Sequence, residues 1–261
     1  MMKRVIEDVK KYIKYTMYAA KCSLKSEVAG SRLSWLWWIL DPLLFMLVYM
    51  FVALIVFGKG ENYFPIFIFI GLTTWQFFEN VVKGAVKIVS NNSAIVSKVY
   101  LPKYFLIIQR MFVRGFKMGV SFTIVVIMML AFRVPVSWAI LYVIPLFAVL
   151  FLVTFGIATI LMHYGVFLED LSNLVTVGMR LIFYMSGIFY SISNRVSEPY
   201  SALLEKCNPV AFIIAELRNV MLYKTHPDLV TLGIWFVIGC ILTMVGVGIV
   251  YKYENSYAKV I

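Results

Sequence analysis

Acid–base chemistry needs carboxylates, imidazoles or amines that approach one another, and this chain of 261 residues offers few such groupings among its 13 acidic residues and 2 histidines. Glu79 and Lys83 stand four apart, in the order that favours a helical ion pair. Two adjacent carboxylate pairs, Glu7-Asp8 and Glu169-Asp170, have no histidine or third acid at ligand spacing. Asp41 and His163 each fall near the end of an apolar run, where a polar group stays hydrated. Cys22, Cys207 and Cys240 keep no metal-ligand spacing, and no disulfide is expected between them. A phosphate-cradling loop would end in Gly-Lys-Ser or Gly-Lys-Thr; the nearest string, Gly58-Lys59-Gly60, lacks the hydroxyl and falls between two apolar runs. The residues therefore predict no catalytic centre, no metal site and no nucleotide pocket. If ATP drives this protein, another polypeptide must hydrolyse it.

Aromatic side chains are the alternative source of recognition. A sugar ring packs its apolar face on an aromatic ring while its hydroxyls find polar tips. Phe45 and Tyr49, Trp75 and Phe78, and Tyr184 and Phe189 cluster on three separate apolar segments. Lipid contact and interfacial anchoring draw on the same residue types.

What positions these groups is a membrane. Apolar residues make up 62% of the chain and charged residues 14%, against roughly 25% charged in a soluble domain. One aqueous core cannot hide that surface, whereas lipid-facing side chains need no polar cover. The net charge of +11 does not point to nucleic acid, because the cations lie between apolar runs and not along one soluble face. We expect an all-α integral membrane protein with six transmembrane helices, at about 34–57, 64–87, 105–132, 136–163, 172–192 and 229–250. Residues 1–33 open with an amphipathic interfacial helix, Ile6, Val9, Ile13, Met17, Ala20 and Leu24 repeating at three and four among lysines. No cleavable signal peptide is expected in front of it. Pro42, close to the start of the first span, should cost that helix little. Arg110, Arg114 and Lys117 share one helical face at the start of the third span, their heads snorkelling to the interface. Residues 193–228 are too short in apolar run to cross, and read as outer, re-entrant helices. No internal repeat is evident.

Placing both termini in the cytoplasm puts 18 Lys and Arg on inner segments and 6 on outer ones, together the chain's 24. The reverse orientation would break the positive-inside bias.

Several strings, in order along nearly the whole chain from about residue 24, resemble ABC-transporter permeases of the polysaccharide exporter family: SWLWWILDPLLFMLVYMF, YFPIFIFIGLTTWQFF, SKVYLPK and NPVAFIIAELRNVML. That family exports O-antigen, teichoic acid and capsule. The resemblance implies a homodimer in the bacterial cytoplasmic (inner) membrane, bound to two separate ABC ATPase subunits that carry the ATP and magnesium. It implies that residues 91–103 hold a coupling helix seated in the ATPase, with Ile95, Val96, Lys98 and Val99 as contacts. It implies that the first and fifth spans border a lateral path for a lipid-linked polysaccharide, with Phe45, Tyr49, Trp75, Phe78, Tyr184 and Phe189 as channel candidates. The family often shows Arg-Asp after the fourth span, where this chain has Glu169-Asp170. A permease for drugs or lipids, or a membrane-embedded enzyme modifying glycans or lipids, are the rival expectations.

Overall fold

A computed structural model describes residues 2–29, 34–57, 61–96, 98 and 100–260. Every regular element among them is helical: α1 (Met2–Ala29), α2 (Ser34–Phe57), α3 (Phe64–Val86), the short turns α4 (Ile88–Asn91) and α5 (Ser93–Val96), α6 (Tyr104–Ala131), α7 (Val143–Phe167), α8 (Leu171–Met185), α9 (Ile192–Arg195), α10 (Tyr200–Cys207), α11 (Pro209–Leu222) and α12 (Leu229–Val260).

Five helical segments among the described residues are long and apolar enough to cross a bilayer: Trp35–Val52, Phe64–Val86, Tyr104–Ala131, Trp138–Phe167 and Leu229–Glu254. The last begins at its Asp228 cap and continues as helix to Val260, past the expected end of that span. The expected fifth span is shorter than anticipated. α8 has 15 residues, about 22 Å of helix at 1.5 Å per residue, against a hydrocarbon core of about 30 Å. Ser186 and the positive-φ Gly187 end it, so the regular helix stops short of that thickness.

The core sits around α3. From Ile66 to Leu72 its side chains are buried on every side, and α2, α6, α7, α8 and α11 all pack against it. α7 and α12 approach through small residues: a Cβ on Gly156 would lie 2.6 Å from Leu242 Cβ, and one on Gly246 would lie 3.0 Å from Thr159 Cβ. Small residues are what bring helices together where lipid supplies no hydrophobic drive.

α1 divides its surface unexpectedly. The expected apolar stripe is split: Ala20 is buried and Ile13 and Leu24 half-buried against the protein, beside Val5, Asp8, Tyr12 and Thr16, while Ile6 (52% exposed), Val9 and Met17 (55% exposed) face away from it. That outward part is left for something outside the chain, as an interfacial helix requires. Pro42 lies inside α2, nine residues from its start. It is too deep to be a free helix-starting proline, and it leaves the Trp38 carbonyl without an intrahelical donor.

α11 is short but buried through almost its whole length. Asn208 starts it, its Oδ1 accepting from the Val210 and Ala211 amides, and Pro209 takes the first-turn position where no donor is needed.

Candidate functional site

Two regions bring the sequence-selected residues together, one aromatic and one polar.

In the first, the rings of α2, α3 and α8 form one connected chain. Phe45 stacks on Tyr49 at 6.2 Å between centroids, and Tyr49 meets Phe189 at 4.4 Å and Phe183 at 6.1 Å. Phe183 meets Trp75 at 5.5 Å, Tyr184 at 5.4 Å and Phe189 at 5.4 Å, and Trp75 meets Phe78 at 6.0 Å. All six candidate aromatics therefore belong to one cluster whose hub, Phe183, was not one of the six. The spacing that could have revealed it is Phe183 beside Tyr184 on the face of α8 turned to α3. Exposure divides the six. Tyr184 (70%) and Phe45 (49%) present ring surface outward, whereas Trp75 (2%) and Phe78 (4%) are packed inside the protomer. Those two hold the others in place and offer no face of their own. Trp75 is fixed further by donating from Nε1 to Glu79 at 2.8 Å, and Lys83 donates to the other Glu79 oxygen, the ion pair expected from their spacing.

Two of the three cations expected to snorkel, Arg110 and Lys117, are instead held by protein. Arg110 Nε donates to the Asn80 carbonyl at 2.9 Å, and Lys117 pairs with Glu27 of α1. Gly84 makes the room, since a Cβ there would lie 1.7 Å from the Arg110 guanidinium.

The second region is at the other end of α3, where the chain runs through α4 and α5. Ile88 and Val89 are buried and anchor the segment. α5 has no buried residue: Ile95 is exposed, Val96 half-buried against the core, and Lys98 exposed. Val99 lies outside the described residues. The segment then descends into the core at Leu101 and Lys103. Burial pushes the Lys103 ammonium below its usual pKa, with Glu254 pulling against it.

Beside this segment lies a polar network that the sequence did not disclose. Arg4 Nη2 donates to Tyr100 Oη at 2.8 Å and pairs with Glu254 at 3.3 Å, while Tyr100 Oη donates to the same Glu254 oxygen at 3.1 Å. Tyr251 Oη donates to Asp8 Oδ2 at 2.5 Å and shares a hydrogen bond with Tyr104 Oη at 3.0 Å. One turn on, Tyr257 Oη meets His163 Nδ1 at 2.8 Å. Burial raises the Tyr257 and Tyr100 phenols. The extended α12 thus ties α1, the α5 segment, α6 and α7 into one unit. The clue was Tyr251, Glu254 and Tyr257 at intervals of three, in a stretch that reads as a free tail.

Among the described residues no group of three or more His, Cys, Asp or Glu is placed to hold a metal.

No family model matches the chain. Curated proteins do. Two O-antigen export system permease proteins RfbA of Klebsiella pneumoniae are each 26% identical over 239 residues, covering 91% of this chain and 91% of the relative. The RfbA protein of Myxococcus xanthus is 25% identical over 231 residues, 87% of each chain. This chain is a homologue of the O-antigen export permeases. The similarity joins the chain to transport permeases and not to enzymes.

Proposed function

We propose that this chain is the membrane-spanning subunit of an ATP-driven ABC exporter that moves a lipid-linked cell-surface polysaccharide across the cytoplasmic membrane. The observation that carries the proposal is similarity across 91% of both chains to proteins named as O-antigen export permeases. Two copies of the chain pair around the path, each with a separate ABC ATPase subunit, both termini lie in the cytoplasm, and α8 with the turn that follows it completes a sixth crossing. α5 is the coupling turn: an exposed helical step carrying Ile95 and Val96 on a buried base suits docking into a motor subunit. The exposed rings of Phe45 and Tyr184, backed by Tyr49, Phe183 and Phe189, border the glycan path. Sequence-independent ring contacts suit a long polymer, since no site need be built for each sugar. Nucleotide-driven displacement of α5 then moves helices as rigid bodies.

The test is Ile95→Glu with Val96→Glu in the chain co-expressed with its ATPase. Membrane insertion is expected to be unchanged, while transport-coupled ATP hydrolysis and surface glycan are lost. Unaltered coupling would remove α5 from the mechanism, and surface glycan that survives deletion of the whole chain would overturn the export reading.

A further inference from the structure

A cavity of about 360 Å³ opens between α2, α3 and α6, within the size range of small-ligand sites, about 300–1,000 Å³. Three helical stripes meet in it. α3 contributes Thr73, Gln76 and Asn80 at intervals of three and four; α2 contributes Trp38, Asp41 and Phe45 at the same intervals; α6 contributes Arg114, Lys117 and Ser121. A three-four rhythm on each helix aims all three polar sets at one space.

The hydrogen-bond inventory of the walls is incomplete in a specific way. Glu79 is satisfied by Lys83 and Trp75, and Lys117 by Glu27. Arg114, Asp41 and the Gln76 side-chain amide have no hydrogen bond or ion pair among the described residues. Thr73 decides the matter. Its side chain is 2% exposed and its hydroxyl has no partner, although Thr74 beside it bonds back to the Ile70 carbonyl. A buried polar group left unpaired costs about 1–3 kcal/mol, so this hydroxyl calls for a partner in the cavity, a water or a ligand group.

We infer that this cavity is a sugar-binding site, taking one ring of the exported glycan as it enters from the inner leaflet; the inference deepens the export reading and rests on it. The unpaired groups carry one negative and one positive charge with neutral amide and hydroxyl beside them, the mixed donor and acceptor set that a polyol satisfies. Trp38 and Phe45 supply ring surface for the sugar's apolar face. A phosphate would meet the carboxylates of Asp41 and Glu79, and an acyl chain would leave Thr73, Gln76 and Arg114 unpaired.

The full chain with its ATPase, in lipid nanodiscs, is titrated calorimetrically with oligosaccharides released by mild acid from the cell's own surface polysaccharide, and separately with inorganic pyrophosphate. Saturable binding is expected for the oligosaccharides and none for pyrophosphate. Arg114→Gln is expected to weaken binding about tenfold or more, as loss of a hydrogen bond to a charged group does. Thr73→Val keeps the shape, so it is expected to weaken sugar binding severalfold while raising the melting temperature of the unliganded protein. Oligosaccharide affinity unchanged in both variants, absence of saturable binding, or pyrophosphate competing for the site would each overturn the inference. Binding is read without transport. A chain that binds no oligosaccharide, yet whose deletion strips glycan from the surface, keeps the export reading and loses this site.

Discussion

Replacing Arg218 by methionine should loosen α11 and the turn after α8 and leave the rest of the protein intact. Arg218 is 4% exposed, and its guanidinium donates three hydrogen bonds to backbone carbonyls: Nε to Phe67 at 3.1 Å, Nη1 to Gly187 at 2.9 Å and Nη2 to Ile188 at 2.7 Å. It also lies over the Phe67 ring at 3.4 Å. No carboxylate pairs with it among the described residues. Methionine fills much of the same volume but supplies no donor. The Phe67 carbonyl keeps its ladder partner inside α3. The net loss therefore falls on the Gly187 and Ile188 carbonyls, which belong to no helix and are left unpaired at about 1–2 kcal/mol each, within the usual penalty for such groups. A local destabilisation of about 2–4 kcal/mol corresponds to amide exchange roughly 30- to 700-fold faster, at about 1.4 kcal/mol per tenfold. Hydrogen–deuterium exchange with mass spectrometry should find this acceleration in residues 186–192 and in α11, with α7 and α12 unchanged. Gly71→Ala should reproduce it from the other side, because the new Cβ would lie 2.6 Å from Arg218 Nη2. Exchange within threefold of wild type in both variants would refute the view that one arginine pins α11 and the turn after α8.

Two further outcomes follow from the helix contacts and caps. Gly156→Ala should destabilise the protein by about 1–3 kcal/mol, seen as a lower melting midpoint in detergent, because α7 and α12 must separate; Gly119→Ala, whose Cβ meets nothing within 4 Å, is the matched control. Asp228 caps α12 through the Val230 and Thr231 amides and pairs with Lys206 at 3.4 Å. Hydrogen bonds from Thr231, assisted by Lys206, hold its carboxyl below the usual value of 3.8. A depressed folded pKa contributes stability above the unfolded value that is lost as pH falls through the folded one. Exchange at the start of α12 should therefore quicken only below about pH 4, and Asp228→Ala, costing about 1 kcal/mol, should abolish that pH step.

Apolar length made the long helices legible: α2, α3 and α6 run within a residue or two of where hydropathy places them. α8 misled because Phe183, Tyr184 and Phe189 extend its apolar run past Gly187, where the backbone turns into the left-handed region. Hydropathy does not register φ. α11 was legible as a helix too short to cross, but its burial was not, since only contact with α3 and α7 reveals it. The candidate site was half legible. Aromatic residue types marked the ring cluster, but whether a ring faces outward, as in Tyr184, or inward, as in Trp75, depends on helix rotation set by packing. The network of Arg4, Asp8, Tyr100, Tyr251 and Glu254 was hidden because its members lie far apart in sequence, Arg4 and Glu254 by 250 residues, and no local pattern connects them.

α3 is the element that gives these pieces a common mechanics. Its first turns are gripped by Arg218, its middle carries Trp75 into the ring cluster and Thr73 and Gln76 into the cavity, and its last turn runs through Lys87 directly into α4 and α5. A helix buried along most of its length resists bending, which would open voids, so it moves largely as a body. In the proposed exporter, a push on α5 has two routes, along α3 or through Tyr100 into α1 and α12. The route through Tyr100 rests on hydrogen bonds around a partly exposed arginine, which yield first. The stiffer path is α3, and it leads to both surfaces proposed to hold sugar, so one displacement at the cytoplasmic face would change the sugar-binding cavity and the exit-side rings together.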